Sequence, residues 1–403
     1  MYNKKVTFKN KQGNILCGEI DLPIDKRPIS YALFAHFFTG NKNFTAVRNI
    51  SRALTQNQIA VMRFDFTGLG KSEGEFKNTN FTTNVEDLIA ASQFLATHFK
   101  APKLIIGHSL GGAAAIYAAS KIDSIEAVST IGAPANPNHV KHLFVEHIDD
   151  INLDGEATFE IAGRPFTIKK QFLEDIKNKD LPKILKELRK PILIFHSPQD
   201  KIVGIKNARI LFEAAHHPKS FISLDKANHL LTNKEDSFYV GKVVSAWANR
   251  YINNNKQEVL ETDKSVLVRI GREKYVTDII ARNHSILADE PVKYGGKNAG
   301  MSPYELLLAS LGSCTAITLR MYADRKEWDL TEVKVHLEHF KQHAKDSNNC
   351  NENNTKIDKF VREIKLKGNL TTEQKNRLIQ IANRCPVHKT LENKIEIETK
   401  LRE

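Results

Sequence analysis

A serine held between two glycines carries the first candidate chemistry. In LIIGHSLGG, Ser109 follows an apolar run and precedes the small-residue stretch GGAAAIYAAS, with Gly107 and Gly111 flanking it. This is G-x-S-x-G in a strand, turn, helix context, where the glycines permit a sharp turn that presents the hydroxyl. A serine hydroxyl is a weak nucleophile, so it needs a base and an acid that orients the base. In the order serine, acid, histidine, the candidates are Asp200 in FHSPQDKIV and His229 in DKANHLL. Asp225 and Glu213 compete as acids, and His196, His216 and His217 compete as bases. Attack on a carbonyl creates an oxyanion that calls for two backbone N–H donors. Leu110, the residue after the serine, supplies one, and Phe37 in AHFFTGNKN the other, with Phe38 as its alternative. His36 reads as a brace for that loop.

A second candidate lies two hundred residues on, at Cys314 in LASLGSC. Its helix starts at SPYE, where Ser302 can cap, Pro303 suits the first helical position and Glu305 stands at the capping-box position. Leu306, Leu307, Leu308, Leu311, Ile317 and Leu319 surround that helix, and a helix apolar all round is expected to be buried. On that reading Cys314 is a small hydrophobe. NRCPVHKTL adds Cys385 at the end of another helix. Two such thiols in one small domain meet the needs of a peroxide-reducing cycle: one thiolate becomes a sulfenic acid and the other condenses with it to a disulfide.

These residues need elements to hold them. Up to about residue 250, the short apolar runs YALFAHFF, IAVMRFDF, KLIIGHS, IEAVSTIGAP, PILIFHS and SFISLDKAN alternate with helix-length segments. Fully apolar strands in β/α alternation mean a mostly parallel sheet covered on both faces, so the expected class is α/β. Both Asp200 and His229 fall after strands, where such a sheet places its chemistry. Over about 138–190 the alternation fails, and a charged segment with a hairpin near IAGRPFTI reads as an insertion, a candidate lid. NNNKQEVLETDK begins the expected linker at 253–264. The remainder, 265–403, holds SVLVRIG, KYVTDIIA, the Ser302 helix, VKVHLEHF, FVREIKLKG, a helix at TEQKNRLIQIANR and a closing strand at NKIEIETKLR, which predicts an α+β domain.

Composition narrows the partners. Of 403 residues, 59 are Lys or Arg and 47 Asp or Glu, a net charge of +12 that is spread over both parts of the chain without a basic run interleaved with aromatics; nucleic acid is therefore not expected. No run reaches the ~20 apolar residues of a membrane span, and the first strand pair does not read as a signal peptide. Only Cys17, Cys314, Cys350 and Cys385 occur, without zinc-ligand spacing, which fits a reducing, cytoplasmic setting and no metal. The Gly-rich RFDFTGLGKSEGEF, with Asp65, Gly68, Gly70 and Ser72, matches neither phosphate-binding pattern, so it reads as a structural turn and no cofactor is expected.

Together, H-x-x-x-G, DFTGLGKSEG, GHSLGG, PQD and NH over residues 1–252 resemble the α/β-hydrolase family. The resemblance implies an α/β-hydrolase fold with a lid insertion and a serine esterase acting on a small-molecule ester through an acyl-serine intermediate. SPYELLLASLGSC and CPVHKTL resemble the two cysteine motifs of the OsmC/Ohr family of organic hydroperoxide reductases. By that resemblance Cys314 is peroxidatic, Cys385 resolving and Glu305 the acidic partner, with an organic hydroperoxide and a thiol reductant as reactants. Glu305 and Cys314 are nine positions apart, about 900° of rotation and about 13 Å of rise, so they sit on opposite faces of a straight helix. Glu305 would then serve a second subunit, in line with the intertwined homodimers of that family. Its members also carry an arginine ahead of this helix, whereas ADEPVKYGGKNAGM offers only Lys293 and Lys297, and Arg282 lies further upstream. The whole chain looks like an α/β-hydrolase/OsmC fusion.

Overall fold

A computed structural model describes residues 2–25, 27–161, 163–252, 260–272, 274–282, 284–343 and 356–402. The chain divides into two units, Met1–Val259 and Leu260–Glu403. Most of the expected linker, and Cys350, lie outside the described residues.

The first unit is built on an eight-stranded sheet. Its elements in chain order are β1 (Tyr2–Lys9), β2 (Ile15–Leu22), β3 (Ser30–Ala35), α1 (Thr45–Thr55), β4 (Ile59–Phe64), α2 (Phe81–His98), β5 (Leu104–His108), α3 (Leu110–Ala119) and β6 (Ala127–Ile131). After an insertion come β9 (Ile192–His196), α7 (Lys206–Ala214), β10 (Lys219–Ser223) and α8 (Lys234–Ile252). The insertion itself contributes α4 (Ile148–Asp154), β7 (Glu156–Ile161), β8 (Arg164–Lys169), α5 (Lys170–Lys177) and α6 (Leu181–Leu188). Sheet order is β1-β2-β4-β3-β5-β6-β9-β10, with β1 and β2 antiparallel and β4 onward parallel to one another. The strands β3, β4, β5, β6 and β9 are buried at every position because helices cover both faces. α1 and α8 pack on one face through Ile50, Leu54, Val240 and Val244, while α2, α3 and α7 pack on the other through Leu88, Ile116 and Leu211.

Sheet order reverses between β3 and β5, the point at which an open α/β sheet forms its crevice. The register there pairs Ala35 with Gly107, so the residues that follow each strand, Phe37 and Ser109 among them, emerge side by side.

The β7–β8 hairpin and its flanking helices join the sheet through rings. Phe38, after β3, packs at a tilt on Phe172 of α5 with ring centroids 5.6 Å apart, and Phe76 meets Phe166 of β8 edge-on at 5.0 Å. Arg164 of β8 donates to the carbonyl of Thr39. The insertion thus hangs on the loop expected to carry the oxyanion donor.

The second unit contains β11 (Leu267–Ile270), β12 (Thr277–Ala281) and β13 (His284–Ala288) in one antiparallel sheet. Helix α9 (Pro303–Arg325) follows, then the hairpin β14 (Asp329–His343) and β15 (Lys356–Asn369), α10 (Thr372–Ala382) and α11 (Pro386–Glu392). The start of α9 is set by a reciprocal capping box between Ser302 and Glu305, with Pro303 in its first turn. Its inner stripe, Leu311, Thr315, Leu319 and Ala323, recurs every four residues against a small core that includes Leu330, Leu378 and Ile381.

Two expectations fail in this unit. α9 is not buried all round: Ile317 and Met321 are 60% and 67% exposed, because the single chain has elements to cover only one side of it. By length and composition α9 also suffices to cross a membrane, yet in this unit it packs on β14, α10 and α11. The closing strand at NKIEIETKLR does not form either; residues 393–402 have no regular structure, since a strand must pair with another and among the described residues they pair with none.

Candidate active site

Ser109 sits between β5 and α3 with φ 54° and ψ −126°, a left-handed conformation costly for any residue with a Cβ. The turn closes because its glycines leave no side chain in the way. A Cβ on Gly107 would lie 2.3 Å from the Gly111 carbonyl oxygen, and one on Gly111 would lie 2.3 Å from that of His36. The end of β3 therefore lies directly against the start of α3.

His229, after β10, reaches Ser109 Oγ with Nε2 at 2.9 Å and Asp200 Oδ2 with Nδ1 at 2.7 Å. Asp200, after β9, also accepts the backbone N–H groups of Ile202 at 2.8 Å and Val203 at 2.9 Å. Burial pushes this carboxyl up, but the His229 hydrogen bond and charge, with those two amides, hold it below the ordinary aspartate value. An ionised carboxylate only accepts, so Nδ1 of His229 carries the proton and Nε2 is left free to take one from Ser109. Phe37 and Leu110 lie beside the serine, one at each element end that the Gly111 approach brings together. Among the described residues neither of their backbone N–H groups donates elsewhere.

Three further histidines brace the loops. The His36 ring meets the Phe37 carbonyl at 2.9 Å, His108 the His229 carbonyl at 2.7 Å and His196 the Val203 carbonyl at 2.6 Å. A carbonyl only accepts, so each imidazole donates. Burial drives His36 down to about 4 and His108 to about 3, and it lowers His196 too, so these rings stay neutral near pH 7 and add no charge beside the relay. The brace expected at His36 is thus present; those at His108 and His196 went unread, although both end apolar strands, an odd place for a polar ring. The competing acids point elsewhere: Glu213 pairs with Arg209, and Asp225 accepts from Ser223. His216 bonds the Lys186 carbonyl on the surface. The Gly-rich turn is structural. Asp65 is buried against the Lys42 ammonium and accepts the Lys71 amide, and Ser72 donates to the Asp65 carbonyl at 2.5 Å.

In the second unit Cys314 on α9 and Cys385 at the start of α11 meet thiol to thiol. Burial and the hydrogen bond to Cys385 raise the Cys314 thiol. Cys385 is fully buried, which by itself raises its thiol, yet the Cys314 hydrogen bond and the backbone N–H groups of His388 and Val387 bring it below the ordinary value. Within the pair, the thiol held lower is therefore that of Cys385. Arg362 of β15 adds its charge near Cys385 and is fixed by Thr315 Oγ1 at 2.8 Å, the Ala382 carbonyl at 3.2 Å and Asn383 Oδ1 at 2.8 Å. This arginine was missed because it lies after the helix; its signal was a charge on the strand face shared with the core-packed Ile364 and Leu366. Glu305 is not brought to Cys314. Its carboxylate caps α9, accepting the Ser302 amide at 2.7 Å, and that bond lowers it.

Comparison with known proteins follows the same division. Residues 40–146 match the serine aminopeptidase, S33, family, and residues 295–400 match the OsmC-like protein family. The solved esterase domain of a Rhodothermus marinus protein is 51% identical, covering 62% of this chain and 100% of that domain with a TM-score of 0.53. Est1E from Butyrivibrio proteoclasticus, solved with ferulic acid bound, shares the fold at 19% identity, covering 61% of this chain and 99% of that one with a TM-score of 0.53. An uncharacterized protein of Rickettsia prowazekii (strain Madrid E) is 28% identical over 138 residues, 34% of this chain. The match spans 57% of that relative's length.

Proposed function

We propose that this chain, which belongs to the α/β-hydrolase family through its first unit and carries an OsmC-like second domain, is a serine-dependent carboxylic ester hydrolase. The observation that carries this is the hydrogen-bonded relay from Ser109 through His229 to Asp200, beside two unused backbone donors. Ser109 Oγ attacks the ester carbonyl carbon as His229 Nε2 takes its proton, and the resulting oxyanion is held by the Phe37 and Leu110 amides. His229 returns the proton to the leaving alcohol, which leaves an acyl-serine. Water then attacks, its proton passes to His229, and the acid departs as Ser109 regains its hydrogen. Asp200 holds the imidazole in the needed tautomer throughout. Phe38 and Phe166, in the ring cluster that ties down the insertion, favour a small to medium apolar acyl group. The deciding experiment is hydrolysis of p-nitrophenyl esters by wild type and Ser109→Ala.

The contact of Cys314 with Cys385 favours a second activity on the same chain, reduction of organic hydroperoxides. A thiolate attacks the peroxide oxygen, the O–O bond breaks, and the alkoxide leaves and takes up a proton. The sulfenic acid so formed condenses with the other thiol, releasing water and forming a disulfide, which an external dithiol reductant reopens as it is itself oxidised. Thiolate absorbance at 240 nm, followed against pH, should show a step below that of an ordinary thiol that persists in Cys314→Ser and disappears in Cys385→Ser. Loss of that step in Cys314→Ser instead would return the thiolate to Cys314.

The exposed side of α9 supports homodimerisation through the second unit, which would cover Ile317 and Met321. Sedimentation of the full chain should then give a dimer, and removal of residues 257–403 a monomer; a full-length monomer at micromolar concentration would refute the assembly.

A further inference from the structure

One groove in the second unit plays no part in either reaction. It lies between the last turns of α9 and the segment from α10 to Pro386, with a volume of about 640 Å³. Arg325 and Lys326 line it from one side and Arg377 and Arg384 from the other. Among the described residues none of these four cations pairs with a carboxylate, and no acidic side chain lines the groove. Arg325 and Lys326 complement the C-terminus of α9, which accounts for half the charge. Arg377 and Arg384 arrive from a different segment, so the four converge at a cost in like-charge repulsion that no acidic residue in the lining offsets.

The groove is also shaped for one kind of occupant. Tyr322 at its centre accepts from Arg377 Nε at 3.3 Å, and the Arg325 guanidinium lies 5.4 Å from its ring. Arg377 also donates Nη1 to Gln380 Oε1 at 2.8 Å, so its Nη2 and the Arg325 fork remain to meet the oxygens of a carboxylate or phosphate. Met321, Ile381 and Pro386 supply apolar lining. Pro386 adjoins Cys385, and Thr318, also in the lining, donates to the Cys314 carbonyl at 2.8 Å. The groove therefore adjoins the segments that carry the cysteine pair, but neither cysteine lines it.

The geometry points to an oxyanion site: this groove binds an amphiphilic carboxylate or phosphate monoester, with its headgroup on Arg377, Arg384 and Arg325 and its tail along Ile381 and Pro386, beside the face of α9 that the second subunit would cover. The inference is independent of the serine reaction and of any thiol turnover. A built-in reporter tests it. The chain has two tryptophans, and Trp328 packs edge-on against Tyr322 at 5.6 Å. In full-length Trp247→Phe, Trp328 emission should change saturably on titration with decanoate or decyl phosphate but not with 1-decanol. The tighter of the two anions identifies the headgroup. Arg377→Gln with Arg384→Gln should raise Kd at least tenfold, and raising salt from 50 to 200 mM should weaken binding further. Arg384→Gln alone, at an exposed position, keeps the test open if the double variant folds poorly. Saturation by 1-decanol at matching concentrations, or unchanged Kd in folded arginine variants, would overturn the site.

Discussion

Ser109→Ala should lower kcat for p-nitrophenyl ester hydrolysis by about 10⁵-fold with KM nearly unchanged. The substitution removes only the hydroxyl, and the half-buried position after β5 has room for the smaller side chain, so binding and the amide donors persist. What is lost is the nucleophile and with it the use of His229 as a base. The residual rate, some 10³-fold above water, would come from the oxyanion donors and substrate binding alone. His229→Ala should cost about as much, and the double variant little more, because the relay acts as one unit. Circular dichroism and melting temperature should stay at wild-type values. A loss of less than tenfold would place the hydrolytic chemistry elsewhere.

The second large effect concerns a residue that touches no substrate. In Gly111→Ala the new Cβ would lie 2.3 Å from the His36 carbonyl oxygen and 2.6 Å from that of Ala35, both backbone atoms at the end of β3. Neither can turn aside, so β3 and α3 must separate, and the Phe37 and Leu110 amides with them. Losing the aim of one oxyanion donor costs about 10²–10³ in kcat, so that is the expected range, with KM changing far less. The hydroxyl, base and acid all remain, so a serine-directed phosphonate should still label the variant, only more slowly. Wild-type kcat in a folded Gly111→Ala protein would mean that the two amides do not share an oxyanion.

Much of this site could be read before the structure, for a physical reason. Parallel strands buried on both faces must be short and wholly apolar, so LIIGH and ILIFH declare themselves, and the polar residues just beyond them become candidates for chemistry. Ser109, Asp200 and His229 were legible in that way. The pairing of Ala35 with Gly107 was not, because register is a relation between strands far apart in sequence. Nor were the ties made by His108 and His196, whose partners lie in loops that only the folded sheet brings near. In the second unit the reading failed at α9 and at NKIEIETKLR, both of which gain meaning only from what packs on them. Arg362 escaped for a related reason: proximity to Cys385 depends on how β15 crosses the helix, not on any short motif.

The three neutral imidazoles also have a consequence for how the molecule opens. His108 and His196 are the final residues of β5 and β9, and His36 follows the last residue of β3, so each brace is rooted in the most buried strands of the sheet. The β7–β8 hairpin is instead fastened to the same region by ring packing and the Arg164 bond to Thr39, while α5 and α6 share the core of the sheet. Two hierarchies of opening follow. The β7–β8 hairpin, whose strands pair with each other and are largely exposed, should open in a local fluctuation, while α5 and α6, packed in the core of the sheet, and the serine, base and acid hold until the sheet itself unfolds. Amide exchange would register this as catalytic loops protected like the core beneath a cover that exchanges early.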